Sequence, residues 1–117
     1  MAGARIEVID GGGITSPRGF RAAGVACGLK TGGQLDLALV YSTHACVGAA
    51  VFTTNAIKAA PLVYDHRTLL RNPTGLRGVV INSGCANACT GKRGLMDAEA
   101  TADTAATALG VEAGDFM

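Results

Sequence analysis

Tryptophan is absent from this 117-residue chain, and three Phe and two Tyr are its only other large aromatic residues. Stacking platforms for single-stranded nucleic acid are built from such rings, so that mode is disfavoured. Clustered positive charge is missing too. Ten Lys and Arg face nine Asp and Glu for a formal charge of +1, and Lys92-Arg93 is the one adjacent basic pair. Affinity for phosphates needs a denser basic surface, so no nucleic-acid partner is expected. Long hydrophobic runs are also lacking. The longest strongly apolar stretch, Ala45 to Phe52, falls well short of the roughly 20 residues that cross a bilayer, so no membrane partner is expected. Near the N-terminus stand Glu7 and Asp10, with no basic start before a hydrophobic block, so no secretory signal or transit peptide is visible. Four cysteines without a secretion signal read as reduced thiols, and a cytoplasmic location follows.

What is present is apolar and small. The hydrophobic fraction is 49% and the charged fraction only 16%, a combination with more buried surface than a free-standing domain needs. A plain Ala- and Gly-rich small domain is the competing account. The length suits one domain, which buries roughly two-thirds of the surface its unfolded chain exposes.

Along the chain, Arg5 to Ile9 is a short β-like run ended by Gly11-Gly12-Gly13, and Ser16-Pro17-Arg18-Gly19 reads as a turn. Phe20 to Cys27 has β character and Leu35 to Tyr41 more so, with Lys30-Thr31-Gly32-Gly33 as the hairpin turn between them. Period-two alternation puts Leu35, Leu37 and Leu39 on one face and Asp36, Ala38 and Val40 on the other. Cys46 to Thr53 reads as a third strand, with Gly48, Ala49 and Ala50 open to close packing. Leu62-Val63-Tyr64 looks extended, Asp65 is placed to cap a short helix through Leu70, and Asn72-Pro73-Thr74-Gly75 ends it. Gly78 to Asn82 is a compact buried strand. Beyond it Leu95, Ala98, Ala102, Ala105, Ala106 and Leu109 recur at helical spacing, Asp97 and Glu99 fall in the expected first turn, and Gly110 closes the helix. Strands followed by a helix, with hairpin-like spacing, predict an α+β fold: a layered sandwich of mainly antiparallel strands with helices outside, incomplete in this chain. Val111 to Met117 supplies no closing element, and with the apolar excess it points to truncation.

The chemistry-bearing stretch is Asn82-Ser83-Gly84-Cys85-Ala86-Asn87-Ala88-Cys89-Thr90-Gly91, between a buried strand and a helix. Such a junction can hold an anion or a polar substrate group on backbone N–H donors, with Asn82, Ser83 and Asn87 as binding candidates. A tight structural connection, in which Asn and Ser satisfy backbone groups, accounts for the same residues. A nucleotide loop is rejected: six residues separate Gly84 from Gly91-Lys92 where four are required, and Arg93 replaces the Ser or Thr that would hold magnesium. Cys85 and Cys89 show no ligand-pair spacing with Cys27, Cys46, His44 or His66, so no metal is assigned and buried thiols are the default. No nucleophile, His and acid pair up either. Lys58, in the polar run Thr53 to Pro61, is a further binding candidate for a substrate carboxylate, against the simpler reading of a solvated strand-end Lys.

Three segments together resemble the ornithine acetyltransferase (glutamate N-acetyltransferase) family of arginine biosynthesis. They are Gly13 to Val25 continuing to Gly28-Leu29-Lys30 and Asp36 to Leu39; Ala49 to Asn55 with Lys58 to Pro61; and Asn82-Ser83-Gly84 with Ala86 to Gly91, Gly94-Leu95 and Asp97 to Ala100. Order and spacing match along almost the whole chain, with Cys85 standing where the family usually has Asn.

The resemblance implies that residues 1–117 are the N-terminal portion of the α chain of a precursor that cleaves itself ahead of a threonine. That Thr, now N-terminal and using its own amine as base, would take the acetyl group of N-acetylornithine and pass it to glutamate. A Thr-Gly pair would stabilise the oxyanion. Implied partners are the β chain and the rest of the α chain in an α2β2-like assembly, with acetylornithine, ornithine and glutamate as small molecules. No cofactor is implied, although acetyl-CoA serves some members as a substrate. The nucleophilic Thr and the Thr-Gly pair fall beyond Met117, so no catalytic residue is assigned and the chain alone is expected to be inactive. Two alternatives stay open: a non-catalytic assembly or binding module of this fold, and a related N-terminal-nucleophile amidohydrolase.

Overall fold

The computed structural model describes residues 6–117. Three strands form one antiparallel sheet in the order β1 (Phe20–Val25), β2 (Leu37–Cys46), β3 (Leu76–Asn82), with helices α1 (Ala60–Arg71) and α2 (Gly91–Leu109). The chain is therefore α+β, with antiparallel strands as expected.

The β1–β2 hairpin pairs Phe20 with Ser42 through Val25 with Leu37, and a single 3-10 turn at Thr31–Gly33 lies in its connection. Register then fixes what each face carries. Leu39 and Tyr41 pack on the core, and their partners across β3 are Val80 and Gly78. The opposite face carries Ala22 and Gly24 from β1, Ala38 and Val40 from β2, and Val79 and Ile81 from β3. All six are apolar or Gly. No element among the described residues covers them, and Ile81 stands half exposed.

α1 and α2 pack together against the other face. Their core joins Tyr64 of α1, Ala102 and Ala106 of α2 and Phe116 of the tail, with Leu95, Ala98, Ala105 and Leu109 around it. The Ala-lined stripe expected of α2 is thus the buried one. Its small side chains let the helix lie close to the sheet, and Gly110 ends it in the left-handed conformation at φ 66°.

Four expectations need correction. Cys46 to Thr53 is not a strand: β2 ends at Cys46 and the chain continues irregularly, with Val51 99% exposed. The small residue Gly48 is used for close approach instead. A Cβ there would run into the Leu76 side chain and sit 3.0 Å from Leu69 Cδ1. Leu62 to Tyr64 is helical, because α1 begins at Ala60 with Pro61 in its first turn, where a missing N–H costs nothing; Asp65 is interior, not a cap. Asp97 and Glu99 lie beyond the first turn of α2, which starts at Gly91 and has no acid there. The strand expected from Arg5 to Ile9 is not seen over Ile6 to Ile9, which are irregular and exposed, while Arg5 falls outside the described residues.

Nor is the tail without a closing contact. Phe116 is fully buried, bridges in parallel to Gly78 and stacks on Tyr41 with ring planes 8° apart. Met117 N–H donates to the Gly78 carbonyl at 3.1 Å, and Val80 N–H donates to the Met117 carbonyl at 2.8 Å. Gly78 is required for this: a Cβ at that position would occupy the space of the Phe116 ring.

Candidate functional site

The connection from β3 to α2 is built around two asparagines and one distant aspartate. Ser83 N–H donates to the main-chain carbonyl of Asp36 at 2.9 Å, fixing where the loop leaves the sheet. Asn82 Nδ2 then donates to the Cys85 carbonyl at 3.1 Å, closing a tight turn. Gly84 within it has φ 100°, and a Cβ there would fall 2.8 Å from Lys30 Cγ, so this turn presses on the β1–β2 connection.

Asn87 holds the far end. Its Nδ2 donates to the Gly94 carbonyl at 2.7 Å, its Oδ1 accepts from the Thr90 hydroxyl, and its main-chain carbonyl accepts from Ala60 N–H at 3.2 Å. One residue thereby joins the first turns of α1 and α2. Gly94 makes this possible, since a Cβ would collide with both the Thr90 hydroxyl and the Asn87 amide. Cys89, between them, adopts φ 57°, unusual for a residue other than Gly.

Asp36 was not among the sequence candidates, yet its carboxylate organises the neighbouring loop. Only 3% exposed, it accepts from Cys27 N–H at 2.6 Å and from Lys30 N–H at 2.8 Å. These two backbone donors hold its carboxyl well below the usual carboxylate range. In turn the hydrogen bond between Asp36 and the Cys27 thiol is the main cause that raises the thiol above its ordinary value. The signal in the sequence was an isolated acid between Leu35 and Leu37.

An open cleft of about 830 Å³ lies between β3, this loop and both helices. Leu37, Val80, Ala98 and Ala102 give it apolar walls, and Asn82 and Asn87 are among its polar lining. Asp65 of α1 also lines it, and burial pushes that carboxyl up. The structure therefore brings Asn82 and Asn87 together. Ser83 does not line the cleft, and Lys58 faces a separate hollow of about 170 Å³ beside Cys89 and Gly91. Asn87 spends its amide on the scaffold, whereas the Asn82 Oδ1 has no partner among the described residues and is the freer group for a ligand.

Comparison with known proteins agrees with this architecture. A model of the ArgJ family matches residues 21–117. The arginine biosynthesis bifunctional protein ArgJ of Mycolicibacterium paratuberculosis is 52% identical over 98 residues, covering 83% of this chain and 24% of its own length. The protein of the same name from Gloeobacter violaceus is 48% identical over 114 residues, covering 97% of this chain and 28% of its own. Among solved structures, the Bacillus halodurans ArgJ protein superposes with a TM-score of 0.87 at 34% identity, over 92% of this chain and 56% of that one. Ornithine acetyltransferase from Mycobacterium tuberculosis, solved in complex with ornithine, gives 0.81 at 46% identity, over 89% and 56%. This chain spans about a quarter of the length of the curated relatives it matches. Matched by this family model over residues 21–117 and sharing roughly half its residues with those relatives, the chain belongs to the ArgJ family.

Proposed function

We propose that residues 1–117 act as the N-terminal portion of a glutamate N-acetyltransferase, contributing a scaffold and one wall of the substrate site. The assembled enzyme moves the acetyl group of N-acetylornithine to glutamate in arginine biosynthesis, in the cytoplasm. The observation that carries this reading is the bare apolar sheet face beside an open cleft with Asn82 and Asn87 in its lining. Such a face is stable in water only when another layer covers it. The Mycobacterium tuberculosis relative, solved with ornithine, supports the substrate class.

In this reading the rest of the α chain and the β chain cover the sheet in an α2β2-like assembly, after autocatalytic cleavage ahead of the Thr that becomes the nucleophile. That Thr and the oxyanion Thr-Gly pair belong to the covering polypeptide. Asn82 supplies a hydrogen bond from the cleft wall, with Ser83 and Lys58 outside that wall. Here the chain's task is positioning: an amide at the end of a rigid strand holds its orientation with little entropic cost.

The test is reassembly. The chain is co-expressed with the complementary part of a family relative, and acetyl transfer from acetylornithine to glutamate is followed. Activity is expected from the complex and none from the chain alone. Turnover by the chain alone, or a stable complex that never transfers acetyl, rejects the proposal; the second outcome favours a non-catalytic module.

A further inference from the structure

We draw no further inference here: the strongest candidate, the hollow of about 170 Å³ at the N-terminus of α2 where Lys58 stands beside Cys89 and Gly91, rests on a helix N-terminus and an exposed lysine, with no buried polar side chain among the residues that line it to point to a ligand.

Discussion

Asp36 ties the stretch from Val25 to Lys30 to Ser83, which lies far away in sequence. Its carboxylate takes Cys27 and Lys30 N–H, its own N–H donates to Val25, and its carbonyl takes Ser83. Because the folded carboxyl lies below the ordinary value near 3.8, its contribution is present in full above that value and fades as pH falls toward the folded one. Melting temperature should therefore drop as pH is lowered from about 4, and Asp36→Asn should flatten that part of the curve; an unchanged slope in the variant counts against the assignment. The same substitution should speed alkylation of Cys27 near pH 8, because the hydrogen-bonding partner that raises the thiol is gone. Gly94 poses the opposite question, whether helix propensity or sterics wins. Gly to Ala inside a helix gains about 1 kcal/mol. Overpacking costs about 1–3 kcal/mol. Here the new methyl also breaks the Asn87–Thr90 arrangement. Gly94→Ala should accordingly lose about 1–2 kcal/mol in urea denaturation, and a gain in stability would show that the loop yields. At this scale the sequence reading singled out Asn82 and Asn87 as candidates because amides at a strand–helix junction have an obvious use. It missed the role of Asp36 because alternation alone placed it with Ala38 and Val40, and burial of a carboxylate depends on donors nine and six residues away.

Elements were legible where the pattern was local. The alternation in β2 and the Ala spacing of α2 are properties of contiguous sequence, and both elements formed there. The run from Val47 to Thr53 has strand-like composition but no strand beside it among the described residues, and composition does not report partners. α1 was begun too late because Leu62, Val63 and Tyr64 were read as extended and Asp65 as the cap; the four-residue spacing of Tyr64 and Thr68, its two buried residues, was the helical signal. The tail was invisible for a different reason. Phe116 is held by Gly78, thirty-eight positions earlier, and by Tyr41, so nothing near it announces its burial. Phe116→Ala removes a fully buried ring and should cost about 3–5 kcal/mol. Gly78→Ala should release the same tail from the other side, raising hydrogen exchange at Val80. Retained Val80 protection in Gly78→Ala would show that the tail does not depend on this groove.

The whole molecule exposes 8398 Å² of surface. A compact monomer of 11.7 kDa exposes about 5,900 Å², leaving an excess of roughly 2,500 Å². The radius of gyration agrees: 15.9 Å against about 13 Å for a compact chain of this length. That excess is large beside the roughly 800 Å² each partner contributes to an ordinary protein interface. The chain in isolation should therefore self-associate and bind hydrophobic dyes, with a sedimentation mass above 11.7 kDa at tens of micromolar. A monodisperse monomer with a sharp melt would show that this surface tolerates water. The latch between residues 78 and 116 also bears on how the chain is made. On a translating ribosome the hairpin emerges early, but the groove over Gly78 stays vacant until Phe116 has cleared the exit tunnel, so consolidation of the helical layer waits for the last residues described here.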